Sequence, residues 1–166
     1  MNFCYREIGH PVYPVRMAEL RLEELSASTI VAANGLTLLR GQEQFVTPPS
    51  YAIADAYINP ITSWPRVVLS GDRVVGFIRG NFDPEATQEE FRSCIWRVSV
   101  AADAQGMGVG TFAVHALADE ARSRGFDRIT ALWEPGEEGP EQFFLHTGFA
   151  IVDQTQYGEN IGALEL

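Results

Sequence analysis

The chain has 166 residues, 46% of them hydrophobic and 20% charged, and a formal net charge of −10. This length and composition predict one soluble globular domain with a substantial core. The acidic balance argues against nonspecific binding to nucleic acid and favours small cationic ligands, although an acidic surface also serves solubility alone.

The first half of the chain predicts an irregular lead-in over residues 1–14, followed by one strand, two helices and a hairpin. Ser26 or Ser28 is expected to cap the first helix and Ser50 the second, whereas Gly35 interrupts the first helical pattern. The predicted elements are, in order, a strand at 15–21, a helix from 26 or 28 to 39, a loop at 41–49, a helix at 51–58, and strands at 66–69 and 73–80 joined by a turn at 70–72.

The second half predicts strands and helices in alternation. Apolar residues at helical spacing from Val109 to Ala121 predict a long helix with a buried face, which Gly125 ends. The other predicted elements are an exposed acidic loop at 81–90, a strand at 94–100, a strand at 128–133, a short helix at 137–147, and strands at 149–153 and 161–166. The whole order, β, α, α, β, β, β, α, β, α, β, β, predicts an α+β domain with a mixed sheet and helices on both faces.

The cysteines, histidines and apolar runs exclude further classes of protein. Cys4 and Cys94 are the only cysteines, and their separation fits neither a disulfide framework nor a metal site. His10 and His115 have no companions at ligand spacing, and no segment reaches the roughly 18 apolar residues of a membrane span. We therefore expect a cytoplasmic protein that uses no metal and has neither a membrane nor a nucleic-acid partner.

A glycine-rich turn lies between the strand at 94–100 and the long helix. Residues 105–110 read Gln-Gly-Met-Gly-Val-Gly. Glycines let a ligand approach the backbone closely, and the start of a helix attracts anions through its unpaired N–H groups and its dipole. The turn therefore predicts a phosphate or pyrophosphate site, although a purely structural turn has the same composition. It is not a dinucleotide fingerprint, because Thr111 replaces the last glycine, and it is not a P-loop, because no lysine stands near.

The pattern Gln-x-x-Gly-x-Gly at 105–110 resembles the acyl-CoA-binding loop of the GNAT superfamily of N-acetyltransferases. The short helix that runs into Gly148-Phe149 is similar to another segment of that family. Closer similarity to bacterial polyamine (spermine/spermidine) N-acetyltransferases is carried by the segments 42–46, 50–57, 75–77, 95–97 and 135–137. The resemblance covers nearly the whole chain and implies a single GNAT domain over residues 1–166, with a central, mostly antiparallel sheet.

The resemblance implies an enzyme that transfers an acetyl group from acetyl-CoA to a primary amine. It also implies that the amine attacks the thioester directly, without an acyl-enzyme. A polyamine or another small cationic amine is the implied acceptor. The backbone N–H of Val98 would polarise the thioester carbonyl. The residues implied to bind the cofactor are Val98, Ser99, Val100, Gln105, Gly106, Met107, Gly108, Val109, Gly110, Thr111 and Phe144.

Two positions depart from the family's pattern. Phe144 stands where a tyrosine usually serves as general acid, and Trp96 stands where some polyamine acetyltransferases carry a glutamate base. Acid–base help is worth about 10²- to 10⁴-fold in rate, so we expect a slow or water-relayed enzyme. Glu134 is a candidate base acting through water, or else an exposed acid at a strand end. His146 is expected to face away from Phe144 and to be a poor substitute acid.

The acceptor channel is expected beside a group of residues in the loop at 41–49 and the helix after it: Glu43, Gln44, Phe45 and Tyr51. Acceptor pockets of the family often include a subunit neighbour, so a homodimer is one expectation. Two alternatives stay open. The first is an acyl-CoA-binding module with little or no catalysis, which the lack of a hydroxyl at Phe144 motivates. The second is an acetyltransferase for an aminoglycoside or a protein N-terminus.

Overall fold

Seven strands form one mixed sheet in the computed structural model of the protein, which describes residues 19–166. The strands are β1 (Leu20–Glu24), β2 (Ser63–Ser70), β3 (Arg73–Phe82), β4 (Ser93–Val100), β5 (Arg128–Trp133), β6 (Ala150–Gln154) and β7 (Asn160–Glu165). Their spatial order is β1-β2-β3-β4-β5-β7-β6. Every neighbouring pair is antiparallel except β4 and β5, which are parallel. The predicted α+β fold with a mixed, mostly antiparallel sheet is confirmed.

In the same described residues, four α-helices cover the sheet: α1 (Ile30–Asn34), α2 (Pro49–Ile58), α3 (Val109–Ser123) and α4 (Glu141–His146). Single 3-10 turns lie at Gln42–Gln44, Glu89–Phe91 and Ala102–Ala104. On one face, Leu117 of α3 packs in a large apolar core with Val68 and Ile78. On the other face, Ala33 of α1 and Ala52 of α2 pack in a smaller core. Alternate residues of β2 and β3 enter the two cores, as the period of a strand requires.

The N-terminal half differs from the sequence prediction in its helix boundaries. Helix α1 ends at Asn34 instead of residue 39, because the chain leaves the helix at Gly35. Thr29 takes its N-cap position without a capping bond from its side chain, and neither predicted serine does so. Helix α2 begins at Pro49, a residue suited to the first helical position, so Ser50 lies inside the helix. Residues 15–18 of the predicted first strand lie outside the described residues.

Two further boundaries differ in the second half. Strand β3 continues to Phe82, so the predicted loop at 81–90 begins later, and Asn81 holds its far end by donating to the carbonyl of Phe91 at 2.9 Å. Helix α4 begins at Glu141 instead of residue 137, because Pro140 takes its N-cap position. A helix that began at residue 137 would carry this proline inside it, where the ring clashes with the preceding turn and offers no N–H.

Strand β4 carries the two irregularities that position the site. Its pairing with β3 joins Arg79 to Arg97 and Gly80 to Ile95, so Trp96 is the extra residue of a β-bulge. On its other side, β4 meets β5 through the single registered pair Cys94 and Thr130. Beyond that pair the two strands diverge, and the edge of β4 that leads to Val100 is open to ligands.

Candidate functional site

A cavity of about 500 Å³ lies where β4 and β5 diverge. Its walls come from the end of β4, the glycine-rich turn, the start of α3, the segment around α4 and the segment before α2. Nine of the residues that the sequence suggested for cofactor binding line it: Val98, Ser99, Val100, Gln105, Gly106, Gly108, Val109, Gly110 and Thr111. The fold therefore brings the end of a strand and the glycine-rich turn into one continuous surface.

The turn presents unbonded backbone N–H groups to this cavity. Gly106 and Gly108 have φ angles of 75° and 85°, in the left-handed region that glycine tolerates, and no atom lies within 4 Å of where a Cβ would stand. The first backbone bond of α3 runs from the N–H of Phe112 to the carbonyl of Gly108 at 2.9 Å. The N–H groups of the residues between them therefore have no helical carbonyl to bind. Together with the positive end of the helix dipole, they form a cradle that fits a phosphate or diphosphate.

The open edge of β4 offers a second set of backbone groups. The N–H of Ala101 donates to the carbonyl of Val75 on β3 at 2.9 Å. Because main-chain groups of a strand alternate in direction, those of Val100 and Val98 point away from β3, towards the fork. The carbonyl of Val100 already accepts a bond from Gln105 Nε2 at 3.1 Å. The N–H of Val98 is thus directed at the cavity.

The side chain of Gln105 links the turn to the segment before α2. Its amide exchanges two hydrogen bonds with the amide of Gln42, at 2.9 and 2.8 Å, in addition to the bond to Val100. These bonds occupy the polar atoms of the side chain. Gln105 lines the cavity, but its amide holds the walls together.

Helix α4 turns a different phenylalanine to the cavity from the one the sequence suggested. Phe144 is 5% exposed, and its ring stacks on Trp133 at 4.8 Å and contacts Phe149 edge-on, so its side chain belongs to the core. Phe143 and His146, which lie three residues apart and so share a helix face, line the cavity instead. The expectation that His146 faces away from Phe144 agrees with this placement. That His146 would line a cavity was not foreseen, and its spacing from Phe143 was the signal that could have found it.

Gly110 allows this close approach of α4 to α3. A Cβ at Gly110 would stand 2.7 Å from Cε2 of Phe143 and 3.0 Å from its Cζ. A side chain here would have to displace the ring of Phe143, whereas at Gly106 and Gly108 it is the backbone angle that favours glycine.

Most of the remaining suggested residues do not line the cavity. Glu134 is exposed just beyond the end of β5, and Met107 is exposed in the turn. Glu43 accepts the N–H of Gly41 at 2.8 Å and so stabilises its own loop. Gln44 and Tyr51 are also exposed, and Phe45 alone of the four suggested acceptor residues borders the cavity. Whether a side chain of this region reaches the cavity depends on the path of the backbone, which the spacing of residues in the sequence does not reveal.

Two buried arginines lie beside the cavity and were not suggested by the sequence. Arg97 is 6% exposed and donates to Ser99 Oγ at 2.9 Å and to Thr47 Oγ1 at 3.4 Å. Arg79 is 1% exposed, forms an ion pair with Asp55, and lies over the ring of Trp96 at 4.7 Å. Burial lowers the pKa of the Arg97 guanidinium to about 10, so the group is still charged at neutral pH.

The described residues offer little for catalysis by a cysteine nucleophile or by a metal ion. Burial raises the pKa of the Cys94 thiol to about 12, so this residue is a poor nucleophile. Within residues 19–166, no three His, Cys, Asp or Glu side chains are grouped so that they could hold a metal ion. In the same part of the chain, no helix has the length and apolar character needed to cross a membrane.

Comparison with solved structures identifies the fold. Ard1 from Thermoplasma volcanium is 16% identical with a TM-score of 0.66, over 89% of this chain and 97% of that one. The PaiA N-acetyltransferase from Thermoplasma acidophilum, solved in complex with coenzyme A, is 10% identical with a TM-score of 0.69, over 89% and 99%. Naa50 from Arabidopsis thaliana, solved with the bisubstrate analogue CoA-Ac-MVNAL, is 17% identical with a TM-score of 0.64, over 89% and 99%. A comparison with curated protein sequences gave no match.

The match to a family model assigns the chain to a protein family, which structural similarity at such low sequence identity does not. The model of the acetyltransferase (GNAT) family matches residues 36–149, a segment that contains the glycine-rich turn, the open edge of β4 and α4. The segment is well over half of the chain. This protein therefore belongs to the acetyltransferase (GNAT) family, and it is an acyltransferase whose acetyl donor is acetyl-CoA.

Proposed function

We propose that the protein transfers the acetyl group of acetyl-CoA to the primary amine of a small acceptor by direct attack of the amine on the thioester, in a single domain spanning residues 1–166. The observation that carries this proposal is the continuity of one cavity from the cradle at the start of α3 to the open edge of β4. A diphosphate and an extended amide chain need these two features at adjacent places.

The backbone supports the positioning and the charge stabilisation that the reaction needs. The N–H groups of residues 109–111 hold the diphosphate, and acetyl-CoA, when bound, supplies an activated thioester. The N–H of Val98 donates to the oxygen on which negative charge develops, which is the role of an oxyanion hole. The nearby Cys94 is too buried and too weakly acidic to form an acyl-enzyme, which supports direct transfer.

Two titratable side chains line the cavity, Glu138 and His146. We propose that they take over the proton transfers for which the family commonly uses a tyrosine and a glutamate. A neutral imidazole can accept the proton of the ammonium through water, and an imidazolium can return one to the thiolate. The exposed Glu134 lies outside the cavity and so receives less support as the base than it did from the sequence.

The acceptor itself is a further part of the proposal. The sequence resemblance and the net charge of −10 favour a polyamine. Glu43, the acidic residue of the suggested acceptor region, does not support a polyamine acceptor, because it accepts a bond from its own loop and does not line the cavity. A protein N-terminus and an aminoglycoside remain the other acceptors to test. A cytoplasmic location and a homodimer stay predictions. Sedimentation would measure the oligomeric state.

The experiment uses the full chain and separates catalysis from binding. Calorimetry with CoA and acetyl-CoA measures binding, and release of free thiol in the presence of a panel of amines measures transfer. The panel contains polyamines, amino acids, an aminoglycoside and short peptides, and product masses identify the acetylated compound. Binding with transfer to at least one amine is expected. Binding without transfer to any amine would favour the alternative, an acyl-CoA-binding module. The phenylalanine at position 144, which lacks the hydroxyl of a tyrosine, is the reason for considering it. Absence of binding at millimolar CoA would overturn both.

A further inference from the structure

The bulge in β4 places two arginines side by side under α2. Ile95 belongs to the core on the α3 face, and regular alternation would turn Arg97 to that same face. Because Trp96 is the extra residue, Arg97 faces α2 instead, directly opposite Arg79 on β3. Both guanidinium groups are almost completely buried.

The charges in this cluster do not balance among the described residues. Arg79 donates from Nη2 to both Asp55 and Ser63 Oγ, the latter at 2.6 Å. No carboxylate among residues 19–166 forms an ion pair with Arg97, whose partners are two hydroxyl oxygens. Its Nη2 is buried and has no hydrogen-bond partner in this part of the chain. A buried charged group without an opposite charge is costly, so the position calls for an anion that the described protein does not provide.

Arg97 lies directly behind the wall of the cavity. Ser99, which accepts the hydrogen bond of its Nε, lines the cavity. Phe45 and Val46, immediately before Thr47, line it as well. The bond from Arg97 Nη1 to Thr47 Oγ1 is long, at 3.4 Å, and Thr47 is exposed. An incoming oxygen anion that displaces this hydroxyl would reach Nη1 and Nη2, the pair of donors that binds a carboxylate through two parallel bonds.

We infer that Arg97 binds a carboxylate of the acceptor, so that the substrate is a small primary amine that also bears a carboxylate, such as an amino acid, and not the polyamine that the sequence resemblance and the net charge favour. The inference rests on the N-acetyltransferase function proposed above. The anion is not a phosphate of coenzyme A, because the cradle at the start of α3 has its own donors for the diphosphate. Arg79 also has two buried donors, Nε and Nη1, without a hydrogen-bond partner among residues 19–166. Its charge is already balanced by Asp55, however, and Trp96 covers its guanidinium, so Arg97 is the receptor.

The first test compares matched acceptors on the unmodified protein. Each of the 20 protein amino acids is offered with its own methyl ester, and lysine and ornithine also with cadaverine and putrescine, which lack the carboxylate. For the preferred acceptor, the free acid should have a kcat/KM about 10- to 100-fold above that of the ester, as expected for charge-assisted hydrogen bonds. The advantage should lie mainly in KM. Transfer to esters or diamines as fast as to the acids would overturn the inference and leave the proposed function standing.

The second test changes the arginine. Arg97→Gln should remove the preference of acid over ester, and Arg97→Lys should keep part of it, while the Kd for CoA stays within about twofold of the wild type. Arg66→Gln is the matched control, because this arginine pairs with Ile78 and so stands on the opposite face of the sheet, where the preference should be unaffected. If Arg97→Gln does not fold, the comparison of acids with esters decides alone. If no amine of either kind is acetylated, calorimetry of the same acids and esters with the CoA-bound protein decides, and equal binding would overturn the inference.

Discussion

Gln42 and Gln105 exchange two side-chain hydrogen bonds, at 2.9 and 2.8 Å, across 63 positions of the chain. Gln42 lies in the segment before α2, which borders the cavity, and Gln105 opens the glycine-rich turn. The pair therefore joins two loops that line the same cavity.

Gln105→Ala removes both of these bonds and the bond to Val100. Since each such bond is worth about 1 kcal/mol, we expect about a fivefold to tenfold loss of affinity for CoA and a rise in the KM of the acceptor. Calorimetry and initial rates measure the two effects. Gln42→Ala should produce part of the same loss, and the double variant should be no worse than Gln105→Ala alone. Additive losses would contradict a direct coupling of the two loops.

Gly108→Ala tests the cradle against a control of equal backbone strain. Gly108 and Gly125 lie beyond the two ends of α3 with φ angles of 85° and 86°, and each has open space where a Cβ would stand. Alanine should cost about 1–2 kcal/mol of stability at either position. Only Gly108→Ala should also weaken CoA binding, by about tenfold. Thermal unfolding and calorimetry measure the two effects, and an equal affinity of the two variants for CoA would argue against the cradle.

Phe144→Tyr and Phe143→Tyr distinguish the two neighbouring rings of α4. A hydroxyl on Phe144 would enter the core beside Trp133, so we expect a loss of about 1–3 kcal/mol in stability and no gain in rate. A hydroxyl on Phe143 would border the cavity and should leave stability within about 1 kcal/mol of the wild type. Urea unfolding and turnover of the best amine measure these outcomes. A faster enzyme from Phe144→Tyr would show that this residue, and not its neighbour, faces the thiolate.

His146→Ala should lower kcat by about 10²-fold and leave the Kd for CoA nearly unchanged, because a proton relay acts in the chemical step. His115→Ala is its control, since His115 is exposed on α3 and does not line the cavity. Single-turnover rates on the best amine give the comparison. Equal rates for the two variants would remove His146 from the mechanism.

Cys94 should be unreactive in the folded protein. Burial raises the pKa of its thiol from 9.0 to about 12, so in a Cys4→Ser background a thiol reagent at pH 8 should modify it only after denaturation. The raised pKa also means that folding favours the protonated thiol. The raised pKa of Cys94 contributes fully to the free energy of unfolding below pH 9, and this contribution is lost as the pH rises towards 12. Urea titrations across this range should show a shallower loss of stability in Cys94→Ala.

The sequence was most informative where the pattern is local. The alternation that leads to Val100, the turn at 105–110 and the helical spacing from Val109 to Ala121 together predicted β4, the turn and α3 close to their observed bounds. Each of these patterns depends on residues a few positions apart. Phe45, which the sequence analysis expected beside the acceptor channel, lines the cavity.

The side-chain placements that the sequence missed are decided by distant neighbours. Phe143 and Phe144 are identical in type, and only the stacking of Phe144 on Trp133 determines which of them faces the core. The bulge at Trp96 shifts the alternation of β4 by one residue, and pairing with β3 determines where it falls. A reading of β4 alone therefore assigns Arg97 to the opposite face of the sheet.

The single registered pair between Cys94 and Thr130 divides the sheet into a four-stranded wing and a three-stranded wing. Beyond that point no main-chain ladder among the described residues joins the wings, and α3 packs across β3, β4 and β5. Coenzyme A bound as proposed would contact both wings. The protein with its donor should then unfold at a higher temperature than the protein alone.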